Sequence, residues 1–582
     1  EYSSKYCFNL SKSFIFSLVV LALASCAGHK SAIEREIEEF ATITVPAPDL
    51  SCISDNGKEV LNLYRFAAQE ADNIYWQQYF GDKSLLEAIE APDVKEFALI
   101  NYGPWNRLDG KTFIEGYSER APGVNFYPSD MTAEEFDSCT LEDKDSPYTI
   151  IERDGDALKA VWFHDKYSDE INKITAYLTA AADITIKPSV RNYLLKKIEG
   201  LKTDNYYDSD IAWLEMEDSK MDLVIGPNES NDDQLKGIKR SYGALVLLKD
   251  LGRTEHLGRY AALIPELQKE LPCREEYKTF NPGLNSDVFV CDALYYGGSY
   301  NAGIKEIAIN LPYDEKVQAE RGTRTILLGN VIDAKFNSII NPVGELFLAE
   351  DFPNIDRNAF LINLSFREMA HGLGVKETVN GKGTVTEALG SHALTWEEAK
   401  ANVVGAFLAS NNIKHDDTSL LVTRDNSIAT FVASLIRSQR FGEGEALGRA
   451  NIMILNYLTT NGAISRNGAG KYKIDYVKTR EVLGQLAGII LKTQAEGDLA
   501  FAESFEKEYA AKPASFDEDR RLMSLEKIPV HWVNLDSFCW NYSQPFRTKI
   551  QSDSPFFHEG LRTDFVRFLH RPSGRSGFFL CI

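Results

Sequence analysis

Basic residues are in short supply in this chain, with 63 Lys and Arg against 85 Asp and Glu and a formal net charge of −22. A nucleic-acid partner calls for a basic face, so the balance argues against one. After residue 26 no segment approaches eighteen uninterrupted apolar residues, which excludes a membrane-spanning helix in the body of the chain. The eight cysteines are widely spaced and form no C-x-x-C pair, which excludes a metal knuckle or a dense disulfide framework. Cys273 and Cys291 lie close enough in sequence for a bridge, and two isolated buried thiols fit equally well. There is no internal repeat and no low-complexity segment. What is present is ordinary: 582 residues, 44% hydrophobic and 25% charged, which excludes disorder as the main state. The length allows two to four domains' worth of core, or one large two-lobed body.

The first 25 residues read as a signal peptide. Lys5 and Lys12 give a positive start, and Phe14–Ala24 is an apolar run too short to span a bilayer stably. It ends in Leu23-Ala24-Ser25-Cys26, which resembles a bacterial lipobox, in which the cysteine thiol takes the lipid after cleavage. The expectation is an exported lipoprotein, tethered to a bacterial membrane through Cys26 and facing the periplasm or exterior. An ordinary secretory signal with an incidental Cys26 is the alternative.

Residues 33–100 have helical periodicity. Residues 148–165 alternate like strands around a turn at Asp154-Gly155, and Met221–Ile225 and 304–312 also read as strands. Ser129-Asp130, followed by acidic residues, reads as a helix start. From 323 to about 510 the pattern is largely helical, with breaks at 372–383 and 461–473. The reading is a mainly helical α+β protein, with a mixed lobe over 26–322 and a helical lobe over 323–530. Residues 531–582 differ: they hold eleven aromatics, and six Lys or Arg outnumber four Asp or Glu. Two readings of this tail stand, a small appended module or translation out of frame.

The segment NIDRNAFLINLSFREMAHGLG (354–374) carries the most chemistry. Ile362, Phe366, Met369 and Leu373 form an apolar stripe that buries one helix face, while Arg367, Glu368 and His371 share another. Gly372 and Gly374 stop the helix. A metallopeptidase H-E-x-x-H helix needs imidazoles at i and i+4 to aim both at one Zn²⁺, with the Glu as base. Here a guanidinium stands first, and R-E-x-x-H alone is no more than a polar helix face. Downstream, Glu397 and Glu398 open a second helix. Glu398 could supply a third ligand, but a capping box with Thr395 also accounts for it.

With six further segments, these two resemble the dipeptidyl peptidase III family of zinc metallopeptidases, especially its shorter bacterial and plant branch. The six are INYGPWNRLDG (100–110), NFYPSDMTAEEF (125–136), VIGPNESND (224–232), NAGIKEIAINLP (301–312), TILLGNVIDAKF (325–336) and RSQRFGEGEALG (437–448). The resemblance implies two lobes around a wide cleft, a helical zinc lobe and a lobe with a small β-barrel. It implies removal of dipeptides from the amino ends of short peptides. It makes Glu368 the general base, His371 and Glu398 zinc ligands, and Glu397 the acid that orients a ligand His. Glu229 would hold the substrate ammonium and Asn310 the peptide backbone.

Five positions depart from the family pattern. Arg367 replaces the first zinc His, and Asn402 the acid that would orient it. Asn231 stands in place of a Tyr that donates to the scissile carbonyl, Tyr313 in place of an Asn, and Leu447 in place of a His that supports the transition state. An Arg offers no lone pair and brings a positive charge to a cation site. Losing even a residue that only orients a ligand reduces metal affinity by about 10–100-fold, and losing one transition-state donor costs roughly 3–4 kcal/mol. Arg367 is expected to pair with Glu398 where the metal would sit. The leading expectation is therefore a peptide-binding homologue with impaired catalysis. The alternatives are an active zinc peptidase, with His392 as a substitute ligand beside His371 and Glu398, and a non-catalytic surface scaffold.

Overall fold

The computed structural model describes residues 48–529, apart from 108–109, 156, 217–218, 279–285, 304, 414–420 and 443–445; before residue 48 it describes only Ile33 and Val45. The signal segment, Cys26 and the aromatic tail therefore lie outside the described residues.

Helix α1 (Asp55–Tyr79) begins where the Ser54 side chain accepts from the Gly57 amide, satisfying one of the free donors of the first turn. Its buried face carries Ala67, Ala68 and Ala71, small enough to let the helix lie close on the main sheet. At Gly297 that contact is so close that a Cβ would stand 2.6 Å from the Ala68 carbonyl oxygen. A separate antiparallel hairpin, β1 (Thr149–Asp154) and β2 (Ala157–Trp162), turns at the Asp154-Gly155 pair anticipated from sequence. The helix expected near Ser129-Asp130 starts three residues later, capped by Thr132.

Five strands make the main sheet: β3 (Met221–Glu229), β4 (Ser241–Lys249), β5 (Ser286–Gly298), β6 (Ala308–Leu311) and β7 (Thr323–Leu328), in the order β3-β4-β5-β7-β6. Only β5 and β7 pair in parallel. Among the described residues β3 and β6 are edges and the sheet does not close, so the small β-barrel implied by the resemblance is not found. The register slips between Pro227 and Glu229, a bulge that re-aims the end of β3. Cys273 and Cys291 are both free thiols, the latter buried in β5, so there is no bridge between them.

Beyond β7 the chain is largely helical: α2 (Gly329–Lys335), α3 (Arg357–His371), α4 (Ala393–Asn412), α5 (Arg424–Ser438), α6 (Ala446–Thr460), α7 (Tyr476–Glu496) and α8 (Leu499–Tyr509) position the site. The stripe Ile362, Phe366, Met369 and Leu373 is buried throughout, as the periodicity requires. α4 is the hub, packing on α3, α5, α6 and α7. A short hairpin, β8 (Ile464–Arg466) and β9 (Tyr472–Ile474), fills the second break in the helical pattern.

Candidate functional site

α3 and α4 meet at Gly405. A Cβ there would lie 2.8 Å from both the N and Cα of Arg367, so the absence of a side chain sets the helix separation. This close approach brings Arg367, Glu368 and His371 of α3 to the same cavity as Glu398 and Asn402 of α4. Arg367 forks between two carboxylates: Nη1 donates to Glu368 Oε1 at 2.5 Å and Nη2 to Glu398 Oε2 at 2.6 Å. Burial works against its charge, but Glu368 and Glu398 outweigh it and hold the guanidinium protonated more firmly than usual. The pairing anticipated for Arg367 and Glu398 is thus present, with Glu368 as a second partner.

His371 is held from the other side. Its Nδ1 lies 2.9 Å from Glu397 Oε1, the carboxylate–imidazole contact that orients a ligand His. Burial would raise the Glu397 carboxyl, but the His371 contact and the ammoniums of Lys400 and Lys376 bring it down to about 2. The buried Lys400 ammonium donates to the His371 and Leu373 carbonyls and pairs with Glu397, tying the end of α3 to α4. Asn402 donates to Asn451 at 3.1 Å, and Leu447 lines the cavity wall.

The donor set does not suit zinc. His371 has its carboxylate contact with Glu397, but the adjacent position offers only the N–H donors of Arg367, and Glu398 is already bound to them. Zinc takes four lone-pair donors in a tetrahedron. Among the described residues no group of three His, Cys, Asp or Glu side chains is placed to hold a metal ion. His392, the proposed substitute, is engaged elsewhere, with its Nδ1 2.9 Å from Glu506 Oε1 on α8. The capping box is also corrected: α4 starts at Ala393, so Thr395 is inside the helix rather than its cap.

The second cluster gathers at the end of β3. Tyr313 donates to Glu229 Oε1 at 3.1 Å and Asn231 to Oε2 at 3.4 Å. Two of the five departing positions thus grip the same carboxylate. Burial raises the Glu229 carboxyl above its ordinary range, although Tyr313, Tyr300 and Arg240 pull the other way. Asn310, on the edge strand β6, accepts from Thr325 Oγ1 at 3.2 Å. Glu306 links the clusters: partial dehydration and the nearby charges of Glu229 and Glu368 push it up to about 7, with Lys335 and Arg367 opposing.

A family model described as "Peptidase family M49" matches residues 138–376. The structure of DPP III from Caldithrix abyssi superposes with a TM-score of 0.80 at 31% identity, covering 86% of this chain and 98% of that one. The chain belongs to peptidase family M49. The dipeptidyl-peptidase III structure from Corallococcus sp. strain EGB agrees, with a TM-score of 0.74 at 29% identity over 86% of this chain and 96% of that one. A curated relative, Nudix hydrolase 3 from Arabidopsis thaliana, is 26% identical over 572 residues, 86% of this chain and 73% of its own length. M49 is a family of zinc metallopeptidases, and this M49 chain keeps its fold while carrying a guanidinium among the matched site residues.

Four charged cavity residues were not singled out from the sequence: Lys305, Glu306, Lys335 and Arg437. Each lies inside a segment that already resembled the family. Charge at a helix end or beside a short strand was the available signal, but it reads equally well as a solvated surface.

Proposed function

We propose that this M49 member binds short peptides by their amino ends and hydrolyses them poorly or not at all. The observation that carries this reading is the Arg367 guanidinium bridging Glu368 and Glu398. It engages the residue matched to the general base and a residue matched to a metal ligand. It brings positive charge to a place that suits a divalent ion only when the donors have lone pairs. Peptide capture needs none of these residues. Glu229 supplies a carboxylate for the ammonium end, with Asn310, the exposed residue of edge strand β6, for the backbone. The same reading takes residues 1–25 as a lipoprotein signal and Cys26 as the membrane anchor; the mass of the mature amino end, with or without acyl chains, tests that part.

Protein purified without chelator should carry substoichiometric zinc and fail to release arylamine from a dipeptidyl-arylamide. It should still bind short peptides, with binding lost in Glu229→Gln. Stoichiometric zinc with turnover would instead establish a working dipeptidyl peptidase. Absence of peptide binding in both wild type and Glu229→Gln would favour a scaffold.

A further inference from the structure

The cavity beside Arg367 encloses about 510 Å³, a size that suits a very short peptide. Its charge is uneven. Four cationic side chains line it against three carboxylates, in a chain whose net charge is −22. Arg367 already engages Glu368 and Glu398. The Lys305 ammonium donates to the Asn301 carbonyl. Lys335, the last residue of α2, stands apart. Its side chain lines the cavity and has no hydrogen-bond or ion-pair partner among the described residues. Burial and the neighbouring charges of Arg437 and Arg367 all disfavour its ammonium, and only Glu306 supports it. A half-buried lysine without a partner, on a cavity wall shared with Arg437 and Arg367, is a place where an incoming anion would be stabilised.

We propose that Lys335, with Arg437 beside it, receives a carboxylate of the bound peptide, either the terminal carboxylate or an acidic side chain. This inference rests on the peptide-binding reading above, in which Glu229 takes the ammonium end. Glu306, on the cavity wall with Lys335, feels the charge of both Glu229 and Lys335, and so stands between the acidic and the basic anchor. The ligand class is then a short zwitterionic peptide, held by charges of opposite sign at its two ends. Such a ligand resembles the product of dipeptide release more than a long substrate.

Calorimetric titration of the full chain with dialanine, dialanine amide and Ala-Glu amide tests the inference. Dialanine should bind on the order of tenfold or more tighter than its amide. That preference should vanish in Lys335→Met and survive in Lys335→Arg, with unchanged circular dichroism showing that both variants fold. Lys335-dependent preference for Ala-Glu amide over dialanine amide would identify a side-chain carboxylate as the source. Equal binding of all three ligands in wild type and Lys335→Met would overturn the carboxylate site while leaving peptide capture intact. Failure of every peptide to bind, with Glu229→Gln indistinguishable from wild type, would overturn the peptide reading and this inference with it.

Discussion

Arg367 shows how one side chain redirects a site. A guanidinium has five donors and no acceptor, so it can bridge the carboxylates of Glu368 and Glu398 but cannot share a metal with them. Removing it in Arg367→Met would leave those two partly buried carboxylates facing each other. After discounting for their partial exposure, the expected loss of stability is about 1–3 kcal/mol, measured by urea denaturation. Arg367→His combined with Asn402→Asp should raise zinc affinity, because it returns a lone pair and the acid that orients it; unchanged zinc content in the double variant would show that Arg367 is not what keeps the metal out. Glu397 makes a pH prediction. Its carboxyl is held down to about 2 in the folded chain, against roughly 4.3 when unfolded. Its stabilising contribution is therefore complete above the unfolded value and lost as pH falls through the folded one. The stability gap between wild type and Glu397→Gln, about 1–2 kcal/mol near neutrality after screening, should close between roughly pH 4 and pH 2.

At the scale of elements, the site depends on how closely two helices approach. Gly405 on α4 admits the backbone of α3 at Arg367. Gly405→Ala should push the helices apart, cost about 1–3 kcal/mol as an overpacked contact, and weaken the Arg367–Glu398 pair. Gly468→Ala, where an added Cβ meets nothing within 4 Å, serves as the control and should shift stability by no more than about 0.5 kcal/mol. α3 itself was legible from the sequence, since its apolar stripe and its glycine stop are local signals. The start of α4 was not. Thr395-x-x-Glu398 has the right spacing for a capping box, but the helix runs back to Ala393 because packing against α8 extends it, with His392 and Trp396 both bound to Glu506. β4 left no alternation to read, since every residue from Ser241 to Lys249 is buried.

Across the whole molecule, the family resemblance picked out residues that the fold brings together, whereas periodicity placed only some of the elements. The matched residues Arg367, Glu368, His371, Glu398, Asn402 and Leu447 do converge on one cavity, although they are spread over three helices. What the sequence could not convey was the company they keep. That Tyr313 and Asn231 both hold Glu229, that His392 is occupied by Glu506, and that Lys335 stands among other cations are facts of packing between distant segments. The same holds for the sheet, whose open edges follow from where β3 and β6 lie in the order rather than from any strand's own residues. The described fold draws its stability from packed helices and a buried sheet, and on the proposed reading Arg367 takes up the carboxylates that a metal would need. A chelator should therefore leave the thermal midpoint unchanged, as differential scanning calorimetry would show.

The most direct test of this account is the zinc content of untreated protein, measured by elemental analysis on the same sample assayed for dipeptidyl-arylamide cleavage. The account predicts far less than one zinc per chain and no turnover above background. One zinc per chain, accompanied by turnover that a chelator abolishes, would contradict it.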